Sequence, residues 1–177
     1  METLKGTRLR WATMYASAGR NDLPALAIEG IVMKTLPPSD WAVAVADAWT
    51  LAEWPSRVVE GRLEMWEYVF DMAAQPGCIL GDEGKQVNRE SLPETMTLWR
   101  GCYPEYQAGM SWTTDRATAA WFAGRMDHHG MKGHLYQVTV PNYLVLGQFN
   151  SRQEAEVVLA VSELFEDDIQ EVPLDVE

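Results

Sequence analysis

Basic residues are scarce in this chain: 14 Lys and Arg stand against 26 Asp and Glu, a formal charge of -12 over 177 residues. Such a field repels phosphate backbones and removes the ordinary electrostatic footprint of a nucleic-acid binder. Cysteine is nearly absent as well. Cys78 and Cys102 are far apart and have no Cys or His at metal-ligand spacing, which excludes a disulfide framework and a zinc ribbon. They read as reduced thiols of a cytoplasmic protein. The three histidines, His128, His129 and His134, lack the helical spacing of a zinc protease site, so no metal is expected. No apolar run approaches the roughly 18 residues that span a membrane. Residues 1 to 20 carry Lys5, Arg8, Arg10 and Arg20 without the sustained apolar core of a secretion signal. A phosphate-binding P-loop, a dinucleotide glycine fingerprint, internal repeats and low-complexity tracts are all missing.

What is present argues for an ordered globule. Apolar residues make up 47 %, with eight Trp, and 177 residues suffice for one compact catalytic domain with a helical extension. The first half reads helical. Asp22 is placed to cap a short helix with Pro24 in its first turn. Pro37 and Pro38 interrupt the chain, and Ser39 or Asp40 can cap a second helix running to Trp54. Val59, Leu63, Trp66, Phe70 and Ala73 recur at helical intervals and predict a helix from about Ser56 to Ala74. Gln75, Pro76 and Gly77 stop it. Residues 78 to 94, with Gly81, Gly84, Pro93 and mixed charge, read as a loop or linker.

From Thr95 the texture changes to short strands. Met96–Arg100, Met110–Thr113, His134–Val140, Tyr143–Phe149, Glu154–Val161 and Ile169–Leu174 are strand candidates. Thr114 or Asp115 can cap a helix that turns Ala119, Phe122 and Ala123 inward. The expected fold is α+β, with a helical N-terminal region over 1–93 packed on or covering a catalytic core over 94–177. The acidic end, with Glu163, Glu166, Asp167, Asp168, Glu171, Asp175 and Glu177, serves as a solvated face or as a docking surface for a basic protein.

Chemistry concentrates in three short segments: LWRG, ending at Gly101; GMSWTTD, over 109–115; and RQEAEVVL, over 152–159. Breaking the nicotinamide bond of NAD builds positive charge on the adjoining ribose. The reaction calls for a cation at the pyrophosphate, a hydroxyl fixing the ribose and a carboxylate facing the oxocarbenium ion. Arg100, Ser111 and Glu156 are of those three types. On a strand, Glu154 and Glu156 are two apart and point to one face.

WRG at 99–101, GMSWTTD at 109–115, AAWFA at 119–123 and EAEVVL at 154–159 together resemble the mono-ADP-ribosyltransferase family in its Arg, Ser, Glu-x-Glu branch, over roughly residues 95 to 161. The resemblance implies a compact split β-sheet core. It implies that Arg100 grips NAD oxygens, that backbone at Gly101 holds the nicotinamide amide, and that Ser111 bonds the catalytic carboxylate and the ribose. Thr113 would support that hydroxyl and Phe122 would touch nicotinamide. Glu156 would bond the ribose and stabilise the cation, while Glu154 would orient or deprotonate an acceptor arginine, a group otherwise held protonated. Ten residues separate Arg100 from Ser111. That gap is too short for the long helical insertion of many relatives, so covering helices would lie upstream, or Arg125 would stand in for Arg100. Arg116 and Arg125 are further candidates for phosphate contact, and Tyr103 or Tyr106 for flanking the nicotinamide.

The expected activity is NAD-dependent transfer of ADP-ribose to an intracellular macromolecule, a protein in preference to a nucleic acid and an arginine side chain in the first instance. Bacterial toxins and phage effectors of this kind are compact, and an inhibitory partner protein is compatible with such an enzyme. NAD hydrolysis, modification of a nucleic-acid base, and an inactive binding or immunity protein on the same fold remain the alternatives.

Overall fold

The computed structural model describes residues 10–59, 61–125 and 131–174. Lys5, Arg8, His128, His129, Asp175 and Glu177 lie outside them. Four helices come first: α1 (Trp11–Ser17), α2 (Leu23–Val32), α3 (Trp41–Leu51) and α4 (Glu64–Ala73). Pro24 stands in the first turn of α2 as expected, but Asp22 makes no cap bond to that helix; it accepts the Gly19 N–H instead. Asp40, just ahead of α3, likewise leaves the helix uncapped. It is buried, accepts the backbone N–H of Trp11 at 2.9 Å and pairs with Arg10 at 2.7 Å, so it joins α1 to α3.

Two helices are shorter than their apolar patterns suggest. The second expected helix stops at Leu51 rather than Trp54, because Trp54 precedes Pro55, whose ring disfavours helical backbone before it. The expected helix over 56–74 becomes a 3-10 turn, Pro55–Val59, followed by α4, with Gly61 at φ +83° breaking the path between them. The apolar stripe still works: Val59, Trp66, Phe70 and Ala73 are buried. Trp49 of α3 meets Trp66 edge-on at 5.1 Å and Phe70 at 5.5 Å.

The segment read as a loop holds two short strands, β1 (Cys78–Leu80) and β2 (Gln86–Asn88), paired antiparallel. Three residues are too few for period-two alternation to show in sequence. Five further strands are β3 (Thr95–Cys102), β4 (Ser111–Thr113), β5 (His134–Pro141), β6 (Val145–Phe149) and β7 (Glu156–Leu159). An edge strand, β8 (Gln170–Val172), ends the fold. Tyr143 and Leu144, expected in a strand, form a 3-10 turn instead. A fifth helix, α5 (Arg116–Arg125), follows β4 and is capped by Asp115, whose carboxylate accepts the N–H groups of Ala117 and Thr118.

The strands form one open eight-stranded sheet in the order β2-β1-β6-β7-β4-β3-β5-β8, parallel only between β1 and β6. The result is a mixed α+β fold. Alternation along the strands divides two cores between the faces. Leu80, Met110, Phe149 and Val158 pack with the helices α1–α4, whereas Ile79, Leu98, Trp112, Val138 and Val157 belong to a second core. Among the described residues no helix is long and apolar enough to cross a membrane.

Candidate functional site

Adjacent strands bring Ser111, Thr113 and Glu156 together. In β4 and β7, Thr113 pairs with Glu156 and Ser111 with Val158, while Trp99 of β3 pairs with Thr113. Directly opposed residues share a face, so Ser111, Thr113 and Glu156 lie on the face that meets the helices. Ser111 Oγ donates to Glu156 Oε1 at 2.6 Å. Trp49 Nε1, from α3, donates to the same oxygen at 2.9 Å. Glu156 is 6 % exposed, an unusual depth for a carboxylate, and these two donors offset part of its lost hydration.

Glu154 is linked to this carboxylate through Arg152 and not by strand alternation. The strand begins at Glu156, not Glu154, because Gln153 and Ala155 have φ of +59° and +45°, left-handed values that take the chain out of the sheet. The turn is held from several sides. Asn150 Oδ1 accepts the Ala155 N–H, Thr113 Oγ1 donates to the Glu154 carbonyl at 2.7 Å, and the Asp82 carboxylate accepts the N–H groups of Asn150 and Ser151. The two glutamates are therefore gathered by a bent backbone and by a cation. Arg152 Nη2 stands 3.1 Å from Glu154 Oε2 and 3.5 Å from Glu156 Oε2. Glu156 thus has one oxygen fixed by neutral donors and the other turned toward a guanidinium.

Arg100 belongs elsewhere. Strand alternation puts it opposite Trp99 and Gly101, on the face of Leu98 and Cys102, across from Tyr136. Its Nε donates to the Tyr106 carbonyl at 3.0 Å and its Nη1 to the Ser111 carbonyl at 2.5 Å. A side chain at Gly109 would run into this guanidinium. Arg100 therefore braces the short β3–β4 connection and fixes the backbone that carries Ser111. Burial pushes the nearby Cys102 thiol above its ordinary 9.0, with the Arg100 charge pulling the other way.

The bare Gly101 is also used differently. A Cβ there would sit 1.9 Å from the Ala119 carbonyl oxygen and 2.5 Å from the Ala123 nitrogen, so its missing side chain admits the backbone of α5. Ala119 and Ala123 are buried, as the sequence predicts. Phe122 lines an open cleft of about 390 Å³ together with Asp115, Thr118, Trp121, Arg152 and Glu154. Ser111 and Glu156 are not in its lining; Arg152 connects them to it, facing the cleft and bonding Glu156. Arg125 lies over the Trp121 ring at 5.4 Å, and Arg116 donates to the Pro173 carbonyl. No group of three or more His, Cys, Asp or Glu among the described residues is arranged to hold a metal ion.

Trp49, Arg152 and Asp82 escaped the sequence reading. Arg152 was within reach of it, since it stands two residues before Glu154 and four before Glu156. Trp49 was not, because nothing in an alanine-rich helix says which distant carboxylate its indole meets.

No protein-family model, curated protein or solved structure matches this chain.

Proposed function

We propose that the chain is an NAD-dependent mono-ADP-ribosyltransferase that modifies an intracellular macromolecule, a protein in preference to a nucleic acid, at an arginine. The observation that carries this reading is the 2.6 Å hydrogen bond from Ser111 to the buried Glu156 carboxylate. In a partly desolvated site a fixed negative charge stabilises a nearby positive one far more than it would in water. The step such an arrangement favours is departure of nicotinamide from NAD. The ring nitrogen takes the bonding pair and leaves neutral, and the ribose becomes an oxocarbenium ion beside Glu156.

The division of the carboxylate supports this role. Oε1 is held by Ser111 and Trp49, whereas Oε2 meets the Arg152 guanidinium at 3.5 Å, so Oε2 is the oxygen a substrate would engage in place of that cation. Glu154, partly exposed on the cleft, suits the acceptor: it would take a guanidinium proton as the nitrogen attacks the ribose carbon. The 3.1 Å approach of Arg152 demonstrates that this carboxylate accommodates a guanidinium. The cleft lies toward the lower end of the roughly 300–1,000 Å³ typical of small-molecule pockets and suits part of a dinucleotide, with Phe122 as an aromatic wall. Arg100 would grip a phosphate only by exchanging its carbonyl partners for phosphate oxygens. As it lies, it contributes by fixing Ser111. The split-sheet transferase core and the family relation belong to the same proposal, supported by the adjacency of β3, β4 and β7.

The test is incubation of the purified chain with labelled NAD and a cell lysate. A labelled protein band that disappears for Glu156→Gln is the expected result. Free ADP-ribose with no labelled macromolecule would identify a hydrolase, and label confined to nucleic acid would reassign the acceptor. Absence of NAD turnover by the folded chain would leave a binding protein.

A further inference from the structure

The open cleft beside Glu154 has an aromatic wall of two unequal parts. Phe122 is half-buried, whereas Trp121 is 59 % exposed and belongs to neither hydrophobic core. The two rings meet edge-on at 5.0 Å and 76°, so packing holds the indole at the rim of the cleft. Its ring already meets a guanidinium: Arg125 Cζ lies 5.4 Å from the centroid, and Trp121 keeps its exposure with that contact in place. Charge around the ring favours the same kind of ligand. Asp115 and Glu154 both line the cleft, and Glu154 is paired with Arg152. The Thr118 hydroxyl, with the N–H groups of Ala117 and Thr118, holds the Asp115 carboxyl below the usual carboxylate range, so it is ionised at neutral pH. Ser111 and Glu156, the groups suited to the ribose, are absent from this lining, while Glu154, the group suited to the acceptor, is part of it. Trp121 therefore stands on the acceptor's side of the glutamate pair.

We propose that Trp121 determines acceptor specificity: its exposed ring stacks the planar guanidinium of an arginine presented by a target protein beside Glu154, and so selects arginine over lysine. The inference rests on the transferase function proposed above and names the group that recognises its substrate. A guanidinium is flat and weakly hydrated. It can lie face to face on an indole while its edge nitrogens reach a carboxylate, whereas an ammonium is a strongly hydrated point charge with no face to stack. The favoured arginine lies in a basic, exposed segment of the target. The chain carries a formal charge of -12, and Asp115 adds a fixed negative charge at the cleft itself.

The test begins with binding to the full-length chain. The indole N–H resonance of Trp121, one of eight Trp, is identified in a nitrogen-15 spectrum by its loss in Trp121→Phe. It is then followed while a capped tripeptide with a central arginine, its lysine counterpart, or ADP-ribose is added at constant ionic strength. A saturable shift with the arginine peptide, and a much weaker response to the lysine peptide, is the expected result. Equal response to both peptides, or a shift with ADP-ribose and neither peptide, would overturn the inference; the second would make Trp121 a wall for the nucleotide. Kinetics gives the second readout. Trp121→Ala should raise KM for the arginine peptide on the order of tenfold while kcat at saturating peptide is kept, and Trp121→Phe should recover most of the affinity. A rise in KM for NAD in place of the peptide would also overturn it. Failure of the wild type to release nicotinamide, with the arginine-selective shift intact, would remove the transferase reading and leave guanidinium recognition by Trp121 standing.

Discussion

Trp49 and Glu156 are 107 residues apart in the chain and joined by a hydrogen bond of 2.9 Å, the indole N–H donating to the carboxylate. Both side chains are buried. The helical first half therefore does more than cover the sheet: it supplies one of the two donors to the buried Glu156 carboxylate. Trp49 is itself wedged against Trp66 and Phe70, so the position of the carboxylate depends on an aromatic cluster.

Replacing Trp49 with Phe keeps most of this packing and removes the donor. A hydrogen bond to a charged group is worth about 1.5–3 kcal/mol, which corresponds to a fall in kcat of roughly tenfold to a hundredfold. KM for NAD should change little, since a positioning residue acts on the transition state. Steady-state kinetics of nicotinamide release checks this, and an unchanged kcat would show that Ser111 alone orients Glu156.

Ser111→Ala removes the shorter of the two bonds to Glu156 Oε1. A loss in kcat of the same order is expected. Because both donors serve one oxygen, the double variant should fall short of the product of the single effects. Multiplicative losses, measured by the same assay, would mean that the two side chains act independently.

Gly101→Ala tests the seat of α5. A Cβ 1.9 Å from the Ala119 carbonyl oxygen forces the helix backbone away from the sheet. Overpacking of this kind costs about 1–3 kcal/mol or more, a fall in Tm on the order of 10 °C at the upper end. Thermal unfolding followed by circular dichroism measures it.

Asp82→Ala cuts the support beneath the turn that presents Arg152 and Glu154, since its carboxylate accepts the N–H groups of Asn150 and Ser151. ADP-ribose transfer should drop severalfold with a fall in Tm of only a few degrees, because the lost bonds are solvent-exposed and individually modest. A large loss of stability with normal specific activity would place Asp82 in the fold rather than the site.

Alkaline pH should weaken the fold through Cys102. Burial raises its folded pKa above the ordinary 9.0, so the unfolded chain ionises first as pH rises. The associated stability is fully present below that value and is lost as pH climbs through the folded pKa. Tyr136, pushed above 10.0 chiefly by burial, extends the effect upward. Denaturant unfolding at several pH values should show declining stability above about pH 9, less steep in Cys102→Ala.

Most of the local structure, and the candidate residues Ser111, Glu154 and Glu156, were legible in the order of the amino acids. Apolar spacing found the face of α4, Thr114 or Asp115 marked the start of α5, and the strand-like runs around Ser111 and Glu156 were legible because alternation and capping act over a few residues. The small strands β1 and β2 were not, since three-residue segments carry no period. Tertiary structure alone decided what those residues touch. Strand pairing set Ser111 beside Glu156 and turned Arg100 to the other face. Positive φ at Gln153 and Ala155, rather than strand alternation, accompanies the pairing of Glu154 and Glu156 with the same guanidinium, that of Arg152. Packing of α3 delivered Trp49 from far upstream. The reason is physical: local propensity depends on neighbours in the chain, whereas a buried charge finds its partners only when distant elements close around it.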